Sequence, residues 1–218
     1  TPTPRPSPTP LPTATPFLPL SEVKKTPVPP PNVLGHGLRL PPGFQVAVFA
    51  KDLPSVRTLA YSPDGVLFAS LPGQGTVVAL PDRDSDGQVD RTAVFAGGLV
   101  RPTGLAFYGD YLYVAEAHQV VRFPWEPGGL NAAMGPEVLV SLPVGGGYMD
   151  HAIGFGPDGK LYVAVGASCN ACRESDYRRA TIMRYGPNGE HEEVYAQGLR
   201  DVEDMLWYPS SHQLLATH

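Results

Sequence analysis

The chain has 218 residues, 42% of them hydrophobic and 17% charged, with a formal net charge of −5, which is enough for one domain of ordinary size with a core, plus a tail. The negative balance argues against nucleic acid and anionic membrane surfaces as partners, because both are polyanions. No stretch approaches the roughly 20 apolar residues that a spanning helix needs, so a membrane is expected to hold this chain only through an N-terminal anchor outside it, as in an exported bacterial protein at the cell surface or beyond it.

The first predicted segment is a tail. About a dozen of the 26 prolines precede Asn32, in a Thr/Pro tract that opens TPTPRPSPTPLPTATPFLPL. Proline fixes φ and lacks an N–H, so such a run adopts extended polyproline II rather than helix or sheet. At about 3.1 Å per residue, 30 such residues reach some 90 Å as a semi-rigid spacer. Residues 1–34 are therefore expected to be a disordered Pro/Thr-rich stalk similar to the linkers of bacterial surface lipoproteins, with residues 35–218 as the folded domain.

From there the chain repeats itself. The strings VRTLAYSPDGVLFAS (from Val56), RPTGLAFYGDYLYVAE (from Arg101), DHAIGFGPDGKLYVAV (from Asp150) and DVEDMLWYPSSHQLLAT (from Asp201) each hold a short apolar strand, a tight turn and a second apolar strand. Related strands precede these units at Val48, Val94, Val138 and Val194, and others follow three of them at Thr76, Gln119 and Thr181. Four short β-branched and aromatic strands per unit, repeated every 45–55 residues or so, predict an all-β propeller of four-stranded blades rather than a sandwich, which does not repeat internally. There is room for a little under four blades, and the last stops early, which leaves an unpaired edge. The expectation is part of a longer propeller of six blades; the alternative is a four-bladed ring closed by an early strand.

Three local patterns carry chemistry. Asp82, Asp84, Asp86 and Asp90 in DRDSDGQVD have the spacing of a calcium loop, although the bidentate glutamate of an EF-hand is missing and apolar strand stands in its place. The reading is a structural calcium ion or a plain solvated hairpin. Cys169 and Cys172 are the only cysteines; two ligands cannot complete a zinc site, and no βαβ unit supports a redox motif, so a local disulfide is expected. Arg178 and Arg179 are candidates for contact with an anionic ligand or for pairing with Glu174 or Asp176 at a strand entry.

The stretches LPPGFQVAVFAKDLPSVRTLAYSPDGVLFAS, SLPVGGGYMDHAIGFGPDGKLYVAVGASCNACRESDYRRATIMRY and EEVYAQGLRDVEDMLWYP resemble the N-terminal part of the glucose/sorbosone dehydrogenase family, from about Leu38 to the end of the chain. The resemblance implies a six-bladed propeller binding pyrroloquinoline quinone and calcium, a sugar or sugar-derived aldehyde as substrate and an external electron acceptor. It implies a histidine base before the GPDGK turn and a quinone-holding arginine in a Leu-Arg-Asn loop. Here the histidine position holds Tyr148, and His151 stands three residues on, with Asp150 placed to orient it. Gly198-Leu199-Arg200 matches the arginine loop, followed by Asp201 where the family has Asn, and Asp201 to Asp204 offer carboxylates that could neutralise Arg200. The family's calcium ligands fall beyond His218. The candidate catalytic residues are His151 and Arg200, with Tyr148 and Arg200 toward the cofactor. The competing function is a propeller without catalysis, tethered at the surface, that binds carbohydrate or protein; a calcium-dependent lactonase would need more carboxylates than are evident.

Overall fold

A computed structural model describes Phe44 and residues 46–218. The chain divides into a unit ending at Ala47 and a unit from Val48 to His218; the expected stalk over residues 1–34 lies outside the described residues. The second unit is all-β, and no helix occurs among the described residues.

The strands group as the repeats dictate. One antiparallel sheet holds β1 (Leu59–Tyr61), β2 (Leu67–Leu71), β3 (Thr76–Leu80) and β4 (Ala93–Ala96) in sequential order. The second holds β5 (Gly104–Tyr108), β6 (Tyr111–Ala115), β7 (Gln119–Pro124) and β8 (Glu137–Ser141). The third holds β9 (Ile153–Phe155), β10 (Leu161–Val165), β11 (Thr181–Tyr185) and β12 (Glu193–Gln197). A two-stranded sheet of β13 (Asp204–Trp207) and β14 (Leu214–Thr217) follows. These are propeller blades, three complete and one of two strands.

The repeat extends to irregularities. In each complete blade the register between the third and fourth strands shifts at the same place, between Val77 and Val78, Val120 and Val121, and Ile182 and Met183. Such a bulge sharpens the local twist of the outer edge. The inner turns are made as their residues require: Gly65 and Gly159 of the Pro-Asp-Gly turns stand at φ +87° and +71°, Gly109 serves the shorter second turn at +55°, and in the fourth His212 takes that conformation.

Side-chain alternation assigns each strand's two faces to two different cores. Leu112 and Val114 pack toward blade 1 with Phe68, Val77, Phe95 and Phe123, whereas Tyr113 and Ala115 pack toward blade 3 with Val163, Val165 and Met183. Tyr162, Ala164 and Ile182, on the far side of blade 3, meet Val202 and Met205 at the start of the fourth sheet. Every residue of β10 is buried in consequence. Between blades 1 and 2 an edge-to-face chain runs Trp125–Phe107–Phe68–Phe95–Phe123, with ring centroids 5.0–5.8 Å apart, each such pair contributing about 0.5–1.5 kcal/mol beyond burial.

The structure corrects two expectations. The Val48 segment forms no strand, and among the described residues no strand before β1 pairs with the fourth sheet; instead the Phe49 carbonyl accepts the Val89 amide at 2.9 Å, and Phe49, Ala50 and Leu53 cover the outer apolar face of blade 1. The other three segments of that type are β4, β8 and β12, outermost strands of the blade before them rather than openings of the blade after.

Neighbouring blades approach closely at Gly104. A Cβ there would enter the van der Waals shell of the His151 carbonyl oxygen and lie 3.1 Å from Ile153 Cγ1 and 3.2 Å from Ala115 Cβ. Gly73, by contrast, has only Ser55 near it, at 3.8 Å. Gly104→Ala is expected to destabilise the domain by about 2 kcal/mol through overpacking of the blade 2–blade 3 contact, and Gly73→Ala to leave stability nearly unchanged. Denaturant midpoints of the two variants check this.

Candidate functional site

Antiparallel order places the connections alternately at two ends of the blades. One end, called the mouth, collects the segment before β1 and the β2–β3, β4–β5, β6–β7, β8–β9, β10–β11 and β12–β13 connections. Tyr148, Asp150, His151, Cys169, Cys172, Arg178, Arg179 and Arg200 all lie there. The aspartates of residues 82–90 lie between β3 and β4, at the opposite end.

Three mouth loops stack on one another through backbone bonds. Gly147 N donates to Ser168 O at 2.8 Å, Tyr148 N to Ala167 O at 3.3 Å, and Ala167 N to Arg200 O at 2.8 Å. The approach is tight enough that a Cβ on Gly166 would stand 2.6 Å from Tyr148 Cβ. Arg179, 7% exposed, pins the stack from beneath: its guanidinium donates to the carbonyls of Pro143 (3.2 Å), Val144 (3.0 Å), Gly145 and Gly166 (3.4 Å). Arg179 is thus a structural cation rather than a ligand contact. Arg178 does pair with Asp176, in bidentate fashion, and that hydrogen bonding holds the Asp176 carboxyl down to about 2. Glu174 instead accepts the Ser168 amide at 2.9 Å.

Cys169 and Cys172 form the expected disulfide. The loop it closes presents Asn170, whose Oδ1 accepts Arg200 Nη1 at 2.7 Å. Arg200 is exposed, and among the described residues it makes no ion pair, so the carboxylates that follow it do not neutralise it. Tyr148, in the same loop stack, is half-buried.

His151 is 2% exposed. Its Nδ1 is 2.9 Å from Ala164 O and its Nε2 is 3.4 Å from Ala117 O, and its backbone N donates to Thr103 Oγ1 at 3.0 Å. Burial pushes the imidazole below the ordinary histidine value, against the opposing pull of those carbonyls. It is therefore neutral at pH 7, and the shorter contact places its proton on Nδ1. The structure thus sets His151 in the interior, between blades 2 and 3.

Asp150 does not orient it, which corrects that expectation. The Asp150 carboxylate receives Arg57 Nε on one oxygen at 2.9 Å and Arg101 on the other, at 2.9 Å from Nε and 2.8 Å from Nη2. Arg57 also donates to Glu203. Burial favours the neutral acid at Asp150, but hydrogen bonds from the two arginines outweigh it and hold the carboxyl below its usual range. This four-blade network of Arg57, Arg101, Asp150 and Glu203 escaped sequence reasoning. Its signal was present: each member lies within a few residues before the inner strand of its own repeat, and aligning the repeats would have grouped them.

At the opposite end, Asp82, Asp84 and Asp86 bring carboxylate oxygens within 4.8 Å of one another. Asp90 is outside that triad and accepts the Arg83 amide at 3.0 Å. Asp82 and Asp86 also receive backbone amides of the same loop.

The domain resembles solved propellers. The quinone-binding domain of a pyranose dehydrogenase from Coprinopsis cinerea matches with a TM-score of 0.69 at 17% identity, over 77% of this chain and 44% of that one. A quinone-bound aldose sugar dehydrogenase from Streptomyces coelicolor matches with a TM-score of 0.60 at 23% identity, over 77% and 57%. A gluconolactonase from Xanthomonas campestris matches with a TM-score of 0.55 at 19% identity, over 79% and 57%. The chain spans about half the length of these structures, and at these identities the likeness is one of fold. Among curated proteins no sequence matches. Residues 38–202 match the family described as a domain of unknown function, DUF7133, and the chain belongs to that family.

Proposed function

We propose that the domain is part of an exported, quinone-dependent propeller that oxidises a sugar or sugar-derived aldehyde, carried on residues 1–34 as a surface stalk. The observation that carries this reading is Arg200: an exposed guanidinium, fixed by Asn170 of the disulfide loop and by the Ala167–Arg200 backbone bond, at the end of the blades where the inner strands begin. The likeness to quinone-bound sugar dehydrogenases supports it.

Pyrroloquinoline quinone is a planar tricarboxylate, and the mouth fits it at one point. Arg57 and Arg101 are committed to Asp150 and Glu203, whereas Arg200 makes no ion pair among the described residues and is the cation we propose to hold a carboxylate. When bound, such a quinone supplies an acceptor for the substrate hydride. The chain's own contribution is to hold that ligand by Arg200, to keep the loop stack rigid through Arg179, and to receive the substrate proton. The buried His151 is poorly placed for the last task, because a base must come within hydrogen-bond reach of the proton it takes. That same burial favours the second reading, a non-catalytic propeller that binds carbohydrate at the surface.

Titration of the protein with the quinone, followed by absorbance, separates the two. Saturable binding weakened at least tenfold by Arg200→Gln supports the first reading, a charge-assisted hydrogen bond being worth about 1.5–3 kcal/mol. Sugar binding without quinone binding supports the second.

The loop of Asp82, Asp84 and Asp86 is proposed as a structural calcium site, its hard oxygen donors suiting that ion. Calcium at 100 times its dissociation constant should stabilise the domain by about 2.7 kcal/mol, read as a raised melting temperature. The increment should vanish in Asp84→Asn.

A further inference from the structure

The guanidinium on which the proposed site depends is held by one contact. The backbone of Arg200 is fixed by Ala167 N on its O at 2.8 Å and by His218 Nε2 on its N at 2.7 Å. Its side chain has a single hydrogen bond among the described residues, Nη1 to Asn170 Oδ1 at 2.7 Å. The direction of the guanidinium is therefore set by the loop that carries Asn170.

That loop has little else to hold it. Residues 169–175 make no backbone–backbone hydrogen bond among the described residues. The flanking ones are Gly147 N to Ser168 O before them and Arg179 N to Asp176 O after them. Side chains replace the missing ladder. Glu174 Oε1 accepts the Ser168 amide at 2.9 Å, and the Cys169–Cys172 disulfide closes the turn on which Asn170 stands. Cys172 is exposed and Cys169 half-buried, so an external thiolate reaches the Cys172 sulfur first.

We infer that the disulfide is a redox latch on Arg200: an external dithiol opens it, Asn170 leaves the guanidinium, and the mouth holds an anionic ligand more weakly. The inference rests on the quinone-binding reading above, whose ligand it regulates. The dithiol's thiolate bonds to the Cys172 sulfur, and the Cys169–Cys172 bond breaks with its electron pair on Cys169, which takes a proton. The second thiol of the reductant then attacks the mixed disulfide and releases Cys172 as a thiol. The protein gains two electrons and two protons, and the dithiol becomes a disulfide.

The open state has a place for the new S–H. Cys172 Sγ is 3.4 Å from Ser168 Oγ and 3.9 Å from Glu174 Oε1. The other oxygen of that carboxylate, Oε2, is buried with no hydrogen-bond partner among the described residues. A disulfide sulfur has no proton to offer, whereas a Cys172 thiol adds a donor beside these acceptors. Glu174 keeps the Ser168 amide throughout, so the loop stack over Arg179 stays closed. Opening is confined to Asn170 and Arg200.

The first test needs no ligand. NMR relaxation of the Arg200 Nε–H group in isotope-labelled protein should show an ordered side chain in the disulfide form. After dithiothreitol, and in Asn170→Ala without it, the same group should become mobile. An unchanged order after reduction overturns the latch, as does a disulfide that dithiothreitol leaves closed in the folded protein.

The second arm is the quinone titration, run free of reductant because quinones react with thiols. The double variant Cys169→Ser, Cys172→Ser stands for the open state and should bind roughly 2- to 10-fold more weakly, the cost of ordering one freed long side chain on the ligand. Asn170→Ala with the disulfide intact should lose the same factor, and in the serine background it should lose nothing further. Additive losses overturn the latch, because the disulfide then acts on the ligand by a route other than Asn170. Failure of the unaltered protein to bind quinone sinks the dehydrogenase reading instead, and the relaxation of Arg200 then decides the latch.

Discussion

A four-stranded sheet with two apolar faces has to bury both, and nearly everything else in this domain follows from that requirement. β10 is buried along its whole length, with Leu161, Val163 and Val165 facing blade 2 and Tyr162 and Ala164 facing the fourth sheet. Each sheet therefore needs a sheet on either side, and right-handed twist turns such a stack into a fan. The inner strands then begin side by side, so the loops at that end converge whatever their sequences. The mouth is a consequence of stacking, and its residues are drawn from all four sheets because each sheet contributes a strand start.

Loops brought together in this way carry backbone groups that no sheet satisfies, and an unpaired buried group costs about 1–3 kcal/mol. Arg179 answers that problem. Four carbonyls from two connections share one buried guanidinium, with no carboxylate among its partners. A lysine could not do this, having three donors and no planar fork. The glycines do the rest: Gly146 and Gly166 lie where a side chain would strike Ser168 and Tyr148. The result is a rigid floor of irregular chain, on which Tyr148 and Arg200 stand in fixed relation without being part of any strand. The disulfide serves the same end from the side, closing the short loop that carries Asn170 to Arg200.

The fold was legible because it is written several times. VRTLAYSPDG, RPTGLAFYGD and DHAIGFGPDG share their apolar spacing and turn chemistry, and repetition of a weak signal makes a strong one. Blade boundaries were less legible. The strand at Val94 is closer in sequence to the following repeat than to the preceding one, and only hydrogen bonding to β3 assigns it to blade 1. The disulfide was legible from cysteine count alone. The partners of Asp150 were not: adjacency in sequence suggested His151, whereas its ligands come from residues 93 and 49 positions away. In extended chain, neighbours point in opposite directions, so the residue next to a histidine is among the worst placed to orient it.

That last point bears on why the mouth carries the groups it does. Arg57, Thr103, His151 and Glu203 each stand two residues before the corresponding apolar residue of their inner strands, Leu59, Leu105, Ile153 and Met205. They occupy one structural position in four blades, and two of them have gone inward and two outward. Thr103 Oγ1 accepts the His151 amide, and the neutral imidazole gives its one N–H, on Nδ1, to the Ala164 carbonyl. Arg57 and Glu203 carry full charges, which are costly to bury, and they meet at the exposed mouth with Asp150 between the arginines. Once the imidazole is committed inward, the ionisable chemistry of this position passes to the carboxylates and arginines.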